Sequence, residues 1–190
     1  MKIVCFGDSL TKGYKIKSSD AWPAIISKEG NIEVLNKGIN GDTTGGMLAR
    51  FNSDVINNKP SHVIVMGGVN DLIWNVPLAV VESNISAMVQ QAIHNQIIPV
   101  IGVPTPAIIA EAQKHWRFVS NFYEVNEFLR EYRQWIISFG EYFGVKVLDF
   151  YKLFCEGNSH KIKGSYFLDG LHPTIEGNEI MCSLVMSILK

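Results

Sequence analysis

One early segment, Phe6-Gly7-Asp8-Ser9-Leu10-Thr11-Lys12-Gly13, packs two glycines, a carboxylate, a hydroxyl and an ammonium into a single turn. It follows directly on the apolar run Ile3–Phe6. Such a turn either cradles a phosphate or presents a nucleophile. The phosphate reading fails on spacing. A P-loop requires GxxxxGK[ST], whereas here Lys12 precedes Gly13 and Tyr14 follows it. The dinucleotide fingerprint GxGxxG is missing from the turn, and Asp8 would repel a phosphate. The nucleophile reading fits better. A serine just past a buried strand, at the start of a helical turn, exposes its hydroxyl while its own N–H points the same way and can bind an oxyanion.

Serine needs a base to take its proton, and the base needs a carboxylate to orient it. Of the five histidines, His62 lies at a strand start, His94 at a helix end, and His115 and His160 in weakly patterned segments. His172 stands apart, in Asp169-Gly170-Leu171-His172-Pro173 before the last helical pattern. An aspartate three residues before a histidine in one turn can accept from Nδ1–H, leaving Nε2 to accept a proton. The same turn also suits a histidine that merely caps a loop. Acyl transfer further needs donors aimed at the developing oxyanion. Gly41, in Asn40-Gly41-Asp42-Thr43, offers a backbone N–H, and Asn70, in Gly68-Val69-Asn70-Asp71, a side-chain amide. Taken one at a time, these turns read as ordinary punctuation, with Asp42 or Thr43 capping one helix and Asn70 another.

These residues need a frame that brings their turns to one edge. Five apolar runs, Ile3–Phe6, Glu33–Asn36, His62–Gly67, Ile97–Val103 and Lys146–Phe150, are mostly rich in Val and Ile, and several are apolar on consecutive positions, as in strands covered on both faces. Helical stripes separate them. Leu78, Val81, Ile85, Met88, Val89 and Ala92 form one, with Pro77 in its first turn. A longer stripe runs from Phe122 to Phe139, and a closing one from Ile180 to Leu189 with Thr174 as a candidate cap. Shorter helices are predicted over Ala21–Lys28 and Thr43–Phe51. Alternation of this kind predicts βαβ units and a right-handed, doubly wound α/β sheet, with ligands beyond the carboxyl ends of the strands. The stretch Pro104–Ser120 reads either as a binding flap or as a poorly patterned surface helix.

Composition narrows the partners. The 190 residues carry a net charge of -1, with 47% hydrophobic and 18% charged residues, which suits one soluble domain over 1–190. Near-balanced charge gives no electrostatic case for nucleic acid or an anionic membrane. No apolar run is long enough to span a bilayer, so no stable membrane insertion is expected, and Met1-Lys2 leads straight into the first strand. The three cysteines, Cys5, Cys155 and Cys182, form no CxxC pair, and Cys5 lies in an apolar strand. Together these features predict a cytoplasmic, reducing setting and a buried, unreactive Cys5.

Four turns in order thus carry a Ser, a Gly, an Asn and an Asp–His pair. Their blocks, FGDSLTKGY, NKGINGDTTGGMLARF, MGGVNDL and DGLHP, resemble those of the SGNH hydrolases, the GDSL lipase/acylhydrolase family, over nearly the whole chain. The second block looks most like the thioesterase, arylesterase and lysophospholipase branch. The resemblance implies a three-layer α/β/α sandwich around a five-stranded parallel, flavodoxin-like sheet. It implies Ser9 as nucleophile, His172 as base and then acid, and Asp169 as its partner. The N–H groups of Ser9 and Gly41 and the Asn70 amide would form the oxyanion hole. A serine esterase of this kind takes a small-molecule acyl ester and needs no metal or cofactor, and no HExxH or clustered Cys/His pattern speaks for one. Ile73, Trp74, Leu171 and parts of Pro104–Phe118 are expected to wall the substrate pocket. Asp8 is expected to be a structural hydrogen-bonder, and Lys12 and Tyr14 surface or rim residues. Two rival readings are a carbohydrate deacetylase with the same triad and a non-catalytic flavodoxin-like binding module.

Overall fold

Consecutive Val and Ile residues cannot keep one face wet, and the apolar runs accordingly become strands buried on both faces. The computed structural model describes residues 1–119, 121–156 and 162–189. In chain order its elements are β1 (Lys2–Gly7), α1 (Ser9–Lys12), α2 (Trp22–Gly30), β2 (Glu33–Gly38), α3 (Thr44–Asp54), β3 (His62–Met66), α4 (Val69–Ile73) and α5 (Leu78–His94). There follow β4 (Ile98–Val103), α6 (Ile109–His115), α7 (Phe122–Phe143), β5 (Lys146–Asp149), α8 (Phe150–Leu153) and α9 (Ile175–Leu189).

The five strands pair in parallel in the order β2-β1-β3-β4-β5, the expected doubly wound, flavodoxin-like arrangement. On one face α2 packs against α9. On the other α3 packs on α5, and α5 and α4 on α7. The residues of β1, β3 and β4 are almost all buried, whereas β2, at an edge, is half-exposed. The core is continuous through the sheet, with Phe6, Trp22, Phe51, Tyr132 and Phe150 among its largest members. Cys5 is fully buried within it, as its strand position predicts.

The boundaries differ from the sequence reading by a few residues, each for a local reason. Pro77 sits just before α5 and not inside its first turn. The fifth strand stops at Asp149 because that carboxylate caps α8, accepting from the Lys152 N–H at 3.0 Å. The closing helix starts at Ile175, five residues before its apolar stripe, with Thr174 Oγ1 accepting from Gly177 N–H. The stretch from Pro104 contains the short helix α6. Ser120, at its far end, lies outside the described residues, as does His160.

Two contacts place the serine turn. The Trp22 indole N–H donates to Leu10 O at 3.0 Å, while the Trp22 backbone N–H donates to Asn178 Oδ1 at 3.1 Å, tying α1 to α2 and α9. At the end of β2, a side chain on Gly38 would stand 2.3 Å from Lys12 N and 2.8 Å from Asp8 O. Only a residue without Cβ lets these two turns touch. Gly38→Ala must therefore push the α1 turn away from the sheet, an overpacking that typically costs about 1–3 kcal/mol. Urea unfolding of the variant is expected to show a loss in that range, and an unchanged midpoint would refute the close approach.

Candidate active site

Ser9 opens α1 and is 8% exposed. Asp8 fixes the start of that helix, its Oδ1 accepting from Leu10 N–H at 2.9 Å. The Ser9 Oγ lies 2.9 Å from Nε2 of His172, a residue 163 positions later. His172 is 3% exposed, and its Nδ1 is 3.1 Å from both carboxylate oxygens of Asp169. That acceptor assigns the proton to Nδ1 and leaves the Nε2 lone pair facing the serine hydroxyl. The turn carries the geometry itself, because Asp169 Oδ1 also accepts from the backbone N–H groups of Leu171 at 3.1 Å and His172 at 2.9 Å. Burial alone would raise the Asp169 carboxyl. The hydrogen bonds from the His172 ring and backbone, with a smaller one from Leu171, outweigh it and hold the group down at about 2. Asp169 is thus a permanent anion beside the imidazole at any ordinary pH.

The structure brings the two expected donor turns to the same edge. In the sheet register Gly7 lies between Gly38 and Met66, so the turns after β1, β2 and β3 are neighbours. Gly41 has φ +77°, a left-handed conformation that favours glycine. A Cβ there would meet nothing within 4 Å, so the backbone angle and not crowding selects glycine. Asn70, in α4, donates through Nδ2 to Asp42 O at 2.8 Å and, at a long 3.5 Å, to Asp8 Oδ2, which fixes the amide against the Gly41–Asp42 turn. Among the described residues no acceptor is bonded to the N–H of Ser9 or of Gly41.

Beneath these turns lies a charge cluster with roles that spacing did not reveal. Arg50 donates to Asp42 Oδ2 at 2.7 Å, Asp54 Oδ2 at 2.9 Å, Lys37 O at 2.9 Å and Gly7 O at 2.9 Å, with its guanidinium 4.2 Å from the Phe6 ring centroid. One side chain thereby clamps the carboxyl ends of β1 and β2 and the turn that holds Asn70. Asp71 accepts from Thr44 N–H at 2.8 Å and Thr44 Oγ1 at 2.6 Å, joining α4 to α3. Asp8, 1% exposed, is pushed up to about 7 chiefly by burial, opposed by the Leu10 N–H and reinforced by the charges of Asp71 and Asp42. Its Oδ2 is 3.5 Å from Asn70 Nδ2. The structural role expected for Asp8 is the one observed.

The walls are aromatic. Tyr14 is no mere rim residue: its ring centroid is 4.3 Å from that of His172, and Trp116 lies 5.4 Å from the same imidazole. Lys15 Nζ is 3.7 Å from Asp169 Oδ2. Of the expected pocket residues, Trp74 is 63% exposed and stacks on Phe118, Ile73 is half-buried against the core, and Leu171 is buried beside His172. Sequence periodicity had no means of singling out Tyr14 or Arg50. The signal available for Arg50 was its place at the end of the Gly-Asp-Thr block. Of the other described histidines, His62 bonds Ser61 Oγ, His94 ends α5 and His115 ends α6. Among the described residues no group of three or more His, Cys, Asp or Glu is placed to hold a metal ion, and no helix is long and apolar enough to cross a membrane.

Comparison with known proteins gives the family and agrees with the fold. The profile of the GDSL-like lipase/acylhydrolase family matches residues 5–180. An arylesterase of Vibrio mimicus is 27% identical over 194 residues, covering 97% of this chain and 86% of its own. Thioesterase 1/protease 1/lysophospholipase L1 of Escherichia coli K12 is 37% identical over 71 residues, 36% of this chain and 34% of its own. A solved G-D-S-L-family protein from Desulfitobacterium hafniense DCB-2 superposes with a TM-score of 0.84 at 30% identity, covering 98% of each chain.

The buried Asp8 generates a pH test. Its carboxyl rises from an ordinary 3.8 to about 7 on folding, so the folded chain holds this proton more tightly than the unfolded one. The resulting stability is full below about pH 3.8 and is lost as the pH rises through about 7. Asp8→Asn cannot ionise. Relative to wild type, the variant is expected to gain stability between pH 5 and pH 8, measured as urea midpoints of both proteins, and a difference independent of pH would contradict the assignment.

Proposed function

The chain belongs to the GDSL-like lipase/acylhydrolase family, and from that membership we propose that it hydrolyses carboxylic esters, and thioesters by the same chemistry, through an acyl-enzyme on Ser9. The observation that supports this most is the hydrogen-bonded line from Ser9 Oγ through the His172 ring to the Asp169 carboxylate. Ser9 Oγ attacks the acyl carbon while Nε2 takes its proton. Asp169 stays ionised and steadies the imidazolium that forms. The tetrahedral oxyanion accepts from the N–H groups of Ser9 and Gly41 and from the Asn70 amide, whose N–H gives up its long contact with Asp8. Nε2 then hands its proton to the departing alcohol or thiol. Water enters, Nε2 takes a proton from it, and the acyl group leaves as a carboxylic acid while Ser9 recovers its hydroxyl proton.

A purely structural reading gives no use to this line of contacts. A binding module needs neither a buried imidazole against a serine hydroxyl nor an anion held at about 2 behind it. The names of the arylesterase and thioesterase relatives support the reading of ester and thioester substrates, and the apolar, aromatic walls suit an acyl ester of modest size.

Two variants test the reading. Ser9→Ala is expected to abolish both p-nitrophenyl acetate hydrolysis and labelling by a fluorophosphonate probe, and wild-type turnover in that variant would end the assignment. Asn70→Ala removes one oxyanion donor and is expected to lower kcat by about 10² to 10³ with little change in KM. A loss confined to KM would instead assign Asn70 to ground-state binding.

A further inference from the structure

Lys15, in the loop after α1, has φ +61°, a left-handed conformation that is uncommon for a residue with a side chain. A glycine would hold the same bend with less strain. The side chain that stands there reaches the turn of Asp169 and His172. Its Nζ lies 3.7 Å from Asp169 Oδ2, with the lysine side chain 52% exposed and the aspartate 1%. Among the described residues no other lysine or arginine makes an ion pair with Asp169. The contact is too long for a hydrogen bond, so it acts by charge. Lys15 Nζ also lies 5.2 Å from the Tyr14 ring centroid, and that ring borders the imidazole. One loop thus sets an aromatic face against His172 and a cation against its carboxylate.

What the cation does follows from what it is not needed for. Asp169 is already held down at about 2 by hydrogen bonds from the His172 ring and backbone and from the Leu171 N–H. A further positive charge adds nothing to its ionisation at ordinary pH. The effect falls on the next group in line. When His172 takes the serine proton, an imidazolium forms, and its Nδ1 and the Lys15 ammonium then share Asp169 Oδ2, at 3.1 and 3.7 Å. The lysine opposes that second cation as a like charge. Given the serine esterase reading above, we propose that Lys15 is a positioning residue that acts through Asp169 to weaken His172 as a base, which keeps the imidazole free of a proton to lower pH and slows proton removal from Ser9 at high pH. Other groups surround the pair without replacing this charge. Ser9 from α1, Tyr14 from the same loop and Trp116 beyond α6 border the imidazole. Glu111 of α6 packs against Gly170, and Lys114 and His115 end that helix, exposed. Lys17, Asp20 and Glu176 line with Lys15 the open groove beside the turn.

The test is the pH profile of kcat/KM for p-nitrophenyl acetate, whose leaving group needs no proton, so the rate reads His172 as a base alone. Lys15→Met keeps the stem and removes the charge. Its acid limb is expected to lie roughly 0.2–0.7 pH unit above that of wild type, the size expected of a half-exposed ion pair. At high pH its rate is expected to rise by up to about twofold, so the two profiles cross. Loss of a merely structural contact would lower the rate at every pH and leave the limb in place, and that result overturns the proposal. Lys15→Arg keeps the charge and should follow wild type. If it follows Lys15→Met instead, shape and not charge is at work, and the proposal falls. About 1 M NaCl, which shortens the Debye length to about 3 Å, should move the wild-type limb towards that of Lys15→Met and leave the variant in place. Equal movement of both limbs counts against the proposal. As a readout independent of turnover, NMR of the His172 ring in Ser9→Ala should show the imidazole taking up its proton at higher pH once Lys15→Met is added, and coincident titrations overturn the proposal. A wild type that is labelled by fluorophosphonate at Ser9 yet gives profiles that do not cross overturns the role of Lys15 alone. A wild type that is neither labelled nor active overturns the esterase reading, and this proposal with it.

Discussion

The parallel register that sets Gly7 between Gly38 and Met66 governs the geometry of the sheet edge. It levels the carboxyl ends of three strands, so the turns that follow them start from a common line. A slip of one residue would turn every strand side chain to the opposite face and separate the turns by a strand rise. The apolar faces enforce the register from below, since β1 and β3 are buried on both sides. The Arg50 guanidinium enforces it from above by bonding Gly7 O and Lys37 O at once. Five fixed N–H donors in a rigid plane suit this task in a way that an ammonium would not.

The electrostatics of the edge are arranged around that cation. Asp42 and Asp54 are paired with Arg50 and sit in partly wet surroundings, whereas Asp8 is enclosed and pushed up to about 7. Asp169, across the site, is held down at about 2 by the donors of its own turn. Carboxylates in one small region are therefore driven apart by burial, hydrogen bonding and neighbouring charge. The anion is placed behind the imidazole, and the group nearest Asn70 is the one with least cost in being neutral.

Most of the frame was legible because strands buried on both faces leave an unmistakable apolar run, and because βαβ order restricts topology to few choices. The Ser9, Asp169 and His172 turns were legible for a different reason: singly they read as ordinary punctuation, but four blocks in that order resemble one family. Tyr14 and Arg50 escaped. Tyr14 sits in a polar loop among lysines, where nothing in its spacing points inward. Arg50 lies on a helix with ordinary surface charges, and only the folded chain shows it facing two strand ends. Trp116 and Phe118 were seen as part of a poorly patterned stretch, because their partners His172 and Trp74 are remote in sequence. Contacts of that kind are set by tertiary packing and leave no periodic trace.

The Ser9–His172 contact spans 163 positions, and this separation matters during synthesis as well as in the finished fold. At roughly 5–20 residues per second, a ribosome adds the serine on the order of ten to thirty seconds before it adds the imidazole. The sheet up to β4 can assemble in that interval, yet the hydroxyl has no proton acceptor and stays as inert as any other alcohol. Trp22 waits as well, since its Asn178 partner lies beyond His172 in the chain. Under the mechanism proposed above, the hydroxyl gains its base only once the turn that carries His172 has been made and folded onto the sheet edge.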